Sequence, residues 1–175
     1  LATAPPGTVV PYVAPNVILS LDDSTSMDEK DMVLQDPSKP YNKDSNVYTK
    51  TRFQVLQEAL QVVFSDKDLL PDEKVRLAWQ SLGNCTTVDG LSFTTLGTTA
   101  AAATAANTMR LLDNSHRTNF IKYAQKYDTC TSTPTHRIVT RADEYLRAPL
   151  HQNGPWASEP GGTLNAPKGK PPGCR

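Results

Sequence analysis

The sequence predicts an α/β protein in which helices cover a layered sheet. Two observations carry this prediction. Residues 16–22 form an almost continuous apolar run with β-branched side chains, which is typical of a strand buried on both faces. Residues 51–65 place apolar side chains at three- and four-residue steps, which predicts an amphipathic helix. Strands and helices then alternate in the order β-α-β-β-α-α, so we expect one layered α/β domain.

The remaining elements follow the same reasoning. Residues 74–82 alternate between two faces and predict a second strand. Residues 108–112 predict a third strand, and a helix is expected after Arg117, where Phe120 and Ala124 lie on one stripe. Pro134 after Thr133 is a helix start signal, and that helix should run to about Arg147. The other segments are predicted to lack regular structure: an extended lead-in (1–15), a surface loop (23–50), an irregular insertion (83–106) and a long proline- and glycine-rich loop (148–175).

Composition limits the function. The chain has 175 residues, with 18 Lys and Arg against 18 Asp and Glu, so its formal net charge is zero. A basic face for nucleic acid is therefore not expected. No apolar run approaches the length of about 18 residues that a membrane-spanning helix needs, so no transmembrane segment is predicted. A chain of this length can form one domain with one sizeable core.

The segment that carries chemistry follows the first strand. Asp22, Ser24 and Ser26 are spaced two residues apart on a turning loop. Ligands bind at the carboxyl edge of strands in α/β sheets, and carboxylate and hydroxyl oxygens suit Mg²⁺ or Mn²⁺. The same residue types are also favoured at helix N-caps, so a capping cluster is the alternative interpretation.

Two classes of enzyme use similar segments and do not fit. Phosphatases of the haloacid-dehalogenase type need a second Asp where this chain has Ser24. Serine hydrolases need a Gly-x-Ser-x-Gly elbow, which the sequence lacks. His116, His136 and His151 show no ligand spacing and are predicted to be surface residues. We therefore do not expect an enzyme.

The run from Asn16 to Met27 resembles the first motif of a von Willebrand factor A domain, which opens the metal-ion-dependent adhesion site. Lys50-Thr51-Arg52 before a helix is similar to the first helix of such domains, and Ser132-Thr133-Pro134 resembles the loop that supplies the threonine of the site. The stretches 144–147, 153–156 and 160–163 are similar to the A domain of PilC/PilY-type adhesins, which are found at the tips of bacterial type IV pili.

The resemblance implies a doubly wound, Rossmann-like von Willebrand factor A fold. It implies a metal site of Asp22, Ser24, Ser26 and Thr133 that holds Mg²⁺ or Mn²⁺, with Ca²⁺ as the alternative. The implied function is adhesion at the cell surface: binding of host or abiotic surfaces, with minor pilins or the rest of a pilus tip protein as partners. A secreted A domain that binds protein partners without a pilus is the other possibility. The family's Thr-Asp-Gly motif does not occur, so residues 16–175 are expected to be the N-terminal part of a domain that continues beyond 175.

The three cysteines are Cys85, Cys130 and Cys174. In such a fold the strand 74–82 runs parallel to the first strand, which places Cys85 at the metal end. Cys130 precedes the Thr133 loop at the same end, and the last helix carries the chain away toward Cys174. The predicted disulfide is therefore Cys85–Cys130.

Overall fold

The computed structural model describes residues 14–32, 50–83, 87–88, 91–92, 96, 105–126, 128–130 and 135–147. The described part is a mixed α/β fold with one three-stranded sheet, one short hairpin and three α-helices. The elements are β1 (Asn16–Leu21), α1 (Arg52–Ser65), β2 (Arg76–Ser81), β3 (Thr87–Val88), β4 (Leu91–Ser92), β5 (Arg110–Leu111), α2 (Asn114–Lys126) and α3 (Thr135–Arg147).

The sheet has the order β1-β2-β5, with β2 at its centre. β1 and β2 are parallel and in register from Asn16–Arg76 to Leu21–Ser81, and β5 pairs antiparallel with β2. All six residues of β2 are buried, whereas β1 is mostly half-buried. Among the described strands, β1 is hydrogen-bonded on one side only, by β2.

One face of the sheet carries the main apolar core. Leu77 and Trp79 of β2 pack with α1 and α2, and Trp79 contacts Phe120 edge-on at a centroid distance of 5.2 Å. Phe64 of α1 lies 4.1 Å from Phe120, which joins the two helices. Of the apolar stripe predicted for α1, Phe53 and Phe64 are buried, whereas Val63 is 41% exposed.

The other face of the sheet is more polar. The side-chain amide of Gln80 donates to the Ile138 carbonyl of α3 at 2.8 Å and to Ser20 Oγ at 3.0 Å. The Met109 backbone N–H donates to the Tyr145 hydroxyl at 2.9 Å. Hydrogen bonds therefore help to hold α3 against the sheet, beside the apolar contacts of Ile138 and Tyr145.

Local signals fix the ends of the helices. Thr51 caps α1: its side chain accepts from the Gln54 N–H, and the Gln54 side chain accepts from the Thr51 N–H. This reciprocal pair is a capping box, which satisfies N–H groups that the helix leaves without partners. The Asp113 carboxylate, directly before α2, accepts from the His116 N–H at 2.7 Å and caps that helix without a reciprocal bond being needed.

The mixed α/β class is confirmed, and the predicted strands and helices follow one another in the predicted sequence, with two short strands, β3 and β4, inserted between β2 and β5. Three details of the sequence prediction are wrong. α2 begins at Asn114 rather than near Arg117, because Asp113 caps it. The segment 83–106 is not wholly irregular, since β3 and β4 pair as a hairpin. His116 is buried, at 3% exposure, because its ring packs on Trp79 and its Nε2 bonds the Leu77 carbonyl at 2.7 Å.

Arg117 is a buried charged residue at the end of the fold away from the carboxyl ends of β1 and β2. Its guanidinium donates to the carbonyls of Phe64 and Leu70 and pairs with Asp72. Asp72 is also paired with Lys67, and hydrogen bonds from Lys67 and Arg117 lower the pKa of Asp72. The cluster locks the end of α1 to the start of α2.

No helix in the described part of the chain is long and apolar enough to cross a membrane. Residues 1–13 of the predicted lead-in and the loop 148–175 lie outside the described residues.

Candidate metal site at the carboxyl edge of the sheet

The loop that carries Asp22, Ser24 and Ser26 leaves the carboxyl end of β1. Because β1 and β2 are parallel and Leu21 pairs with Ser81, both strands end at the same edge of the sheet. A short 3-10 helix, Thr25–Asp28, then turns the chain, and the Met27 N–H donates to the Ser24 carbonyl at 3.0 Å. The three sequence-predicted oxygen donors therefore lie where α/β sheets bind their ligands.

The structure brings the two serine hydroxyls together and ties the Asp22 carboxylate to the backbone of the same turn. The hydroxyls of Ser24 and Ser26 are 3.0 Å apart, and the Ser24 N–H donates to Asp22 Oδ1 at 2.8 Å. Ser24 is buried and Ser26 is exposed, so the hydroxyl pair spans from the interior to the surface. One carboxylate and two hydroxyls thus occupy a single turn.

Asp23, between these residues, faces inward. It is fully buried. Gly83 follows β2, and its N–H donates to both carboxylate oxygens of Asp23, at 2.8 and 3.0 Å. The Asp23 carbonyl accepts from the Cys130 N–H at 3.0 Å. Asp23 therefore joins the loop to two distant segments of the chain.

Arg52, the first residue of α1, holds the outer side of the loop. Its guanidinium donates to both oxygens of Asp31, at 2.5 to 3.1 Å, and to the Ser26 carbonyl at 3.4 Å. The hydrogen bond to Asp31 raises the pKa of Arg52. The Arg52 N–H donates to the Glu29 carbonyl at 3.2 Å, so backbone and side chain bind the loop together.

Asp28 adds a further link, because its Oδ2 accepts from the Thr129 hydroxyl at 2.5 Å. No group of three or more His, Cys, Asp or Glu side chains that could hold a metal ion occurs in the described ranges. A cation at this loop would therefore depend on serine hydroxyls and water besides Asp22, which is a ligand set for a hard cation rather than for zinc.

Thr133, the fourth predicted ligand, lies outside the described residues. Three residues before it, Cys130 is hydrogen-bonded to Asp23, and two residues after it, α3 begins. Cys130 is a disulfide cysteine in the structure. Cys85 and Cys174 also lie outside the described residues, so the predicted pair Cys85–Cys130 stays a prediction.

Sequence reasoning missed Asp23, Gly83 and Arg52. Asp23 had a usable signal, since it directly follows Asp22 and adjacent residues at a strand end point to opposite sides. Gly83 and Arg52 had no such signal, because their roles come from pairing with residues far away in sequence.

Comparison with known proteins gives one relative. The chain is 31% identical over 123 residues, 69% of its length, to the type IV pilus biogenesis factor PilY1 of Pseudomonas aeruginosa. The match spans 10% of the length of that protein. No family model matches the chain, and no solved structure matches it. The similarity relates the chain to a type IV pilus protein.

Proposed function

We propose that this chain is part of a von Willebrand factor A domain in a type IV pilus-associated protein at the cell surface. It binds a divalent cation through Asp22, Ser24, Ser26 and Thr133. The cation keeps one coordination position for a carboxylate of the ligand, so the site captures a partner and does not catalyse a reaction. Host or abiotic surfaces supply the ligand, and minor pilins or the rest of the pilus protein hold the domain in place.

The observation that carries this proposal is the hydroxyl pair beside Asp22. Mg²⁺ binds oxygens at about 2.1 Å in octahedral geometry, so two neighbouring ligands on one ion lie about 3 Å apart. Ser24 Oγ and Ser26 Oγ have this separation, at 3.0 Å. The spacing suits an ion that takes both hydroxyls, with water completing the shell.

The sheet supports the same proposal. A doubly wound sheet places its ligand site where neighbouring strands separate, at their carboxyl ends. β1 has β2 on one side, and on its other edge none of the described strands is paired with it. A later strand beside β1 would create the switch point at the loop of Asp22. The similarity to the pilus biogenesis factor supports the pilus context.

The test is calorimetric titration of Mg²⁺, Mn²⁺ and Ca²⁺ into the protein and its variants. Asp22→Asn removes the carboxylate charge and keeps the side-chain shape, so we expect at least a tenfold loss of Mg²⁺ affinity. Ser26→Ala should also weaken binding, by a smaller factor, because water can replace the exposed hydroxyl. Thr133→Ala tests the fourth ligand.

Asp68→Asn is the matched control. Asp68 is an exposed carboxylate after the end of α1, away from the loop, and its removal changes the net charge equally. Mg²⁺ affinity should be unchanged in this variant. If Asp22→Asn and Asp68→Asn bind Mg²⁺ alike, or the unaltered protein binds none of the three ions, the proposed metal site is wrong.

A further inference from the structure

We propose that Asp23 is a positioning residue that holds the metal loop in its binding geometry by joining it to the end of β2 and to the disulfide-bonded Cys130. This inference rests on the proposed metal site. Asp23 contributes no oxygen to that site. Its role follows from the hydrogen bonds that its side-chain carboxylate and its backbone carbonyl accept.

The carboxylate acts on the β2 side. It receives the Gly83 N–H on both oxygens, at 2.8 and 3.0 Å, in a place where the side chain is fully buried. A hydrogen bond to a charged acceptor is about twice as strong as one between neutral groups. This bond fixes the loop laterally against the neighbouring strand.

The carbonyl acts on the other side. It receives the Cys130 N–H at 3.0 Å, five residues before α3 begins at Thr135. Cys130 is held by a disulfide, so the segment that leads to Thr133 is attached to the loop at a point that is itself cross-linked. One residue therefore sets the distance between the loop of Asp22 and the segment before Thr133.

The residues on either side of Asp23 are the proposed ligands. Asp22 and Ser24 are bonded to each other through Oδ1 and N–H at 2.8 Å. A rotation of the backbone at Asp23 would move both of them. Loss of the Gly83 bond is thus expected to separate the ligands while the core, which lies beneath the sheet, stays intact.

The test uses Asp23→Ala, which removes the acceptor, and Asp23→Asn, which keeps one acceptor oxygen in the same shape. Peptide mapping first identifies the disulfide partner of Cys130. In metal-free protein, NMR hydrogen exchange is measured at the amides of Gly83 and Met27. Asp23→Ala should raise exchange at both by at least tenfold relative to α1 amides, and Asp23→Asn should raise it less.

The second readout is Mg²⁺ affinity by calorimetry. Asp23→Ala should lose at least tenfold, and Asp23→Asn should recover a substantial part of that loss. Asp22→Asn is the contrasting variant: it should lose Mg²⁺ affinity with no change in exchange at Gly83. This pattern separates a ligand from a residue that positions ligands.

The outcomes are distinct. If Asp23→Ala leaves exchange at Gly83 and Met27 unchanged, or raises it while folded protein keeps its Mg²⁺ affinity, the positioning role is wrong. If Asp23→Ala does not fold, Asp23→Asn decides: wild-type exchange and wild-type affinity together overturn the proposal. If the unaltered protein binds no Mg²⁺, the metal site fails, and the exchange measurements still decide whether Asp23 tethers the loop.

Discussion

At the scale of single residues, His116 is a titratable side chain that lies in the buried core, at 3% exposure. Burial lowers its pKa to about 4, with a smaller contribution from nearby Arg110. The backbone bond to Leu77 and the charge of Asp113 act in the opposite direction. Because a carbonyl can only accept, Nε2 carries the proton and the ring is neutral in the folded protein.

His116 should make the fold sensitive to acid. A histidine in an unfolded chain titrates near pH 6.5. Between about pH 6.5 and pH 4, His116 is therefore protonated in the unfolded chain and neutral in the folded protein. The contribution of neutral His116 to stability is complete above about pH 6.5 and declines as the pH falls, by about 3 kcal/mol at most. Thermal unfolding across this range measures it.

His116→Gln tests the assignment, because it keeps a donor for the Leu77 carbonyl and does not titrate. We expect a lower melting temperature at pH 7, since the ring packing on Trp79 is lost, and a flatter profile between pH 4 and 6.5. His136→Gln, on the exposed surface of α3, is the control and should follow the wild-type profile. A wild-type slope in His116→Gln would contradict the assignment.

At the scale of elements, the two sides of the sheet differ in what holds their helices. α1 and α2 share an aromatic core, whereas α3 buries Ile138 and Tyr145 and leaves Val139 67% exposed. Elements with few buried apolar contacts open before the rest of a fold. We expect native-state hydrogen exchange to show α3 opening at lower free energy than α2.

Tyr145→Phe sharpens this prediction. It removes the acceptor of the buried Met109 N–H, and an unmade buried hydrogen bond costs about 1–3 kcal/mol. Protection of α3 amides should fall by that amount, while Val139→Ala on the exposed side should leave them unchanged. Equal protection of α3 and α2 amides in the wild type would contradict the prediction, because the polar contacts of α3 would then stabilise it as well as the aromatic core stabilises α2.

At the scale of the whole molecule, the sequence predicted the parts whose signal is local. β1 is predicted from its continuous apolar run, α1 and β2 from the periodicity of their apolar residues, and α3 from its start signal. The burial of His116 and Arg117 could not be predicted from the sequence, because their partners come from other segments. Arg117 binds the carbonyls of Phe64 and Leu70 and pairs with Asp72. The same limit applies to the candidate site: the spacing of Asp22, Ser24 and Ser26 predicts them as ligands, whereas no local signal predicts the contacts of Gly83 and Arg52 with this loop.

The bond between Asp23 and Gly83 also has a consequence for the order in which the protein folds. It joins residues 60 apart in sequence, and closing a loop of that length costs about 4 kcal/mol of chain entropy, before a constant term. Helix turns close within a few residues and form far earlier. The pairing of β1 with β2 closes a loop of the same length, since Leu19 pairs with Trp79. The loop of Asp22 should thus reach its final shape no earlier than these two strands pair, and the proposed cation should bind no earlier than that. Stopped-flow refolding of a Trp156→Phe variant, with Trp79 reporting the core and an indicator dye reporting Mg²⁺, should show no Mg²⁺ uptake before the fluorescence change, and uptake that precedes it would rule out this order.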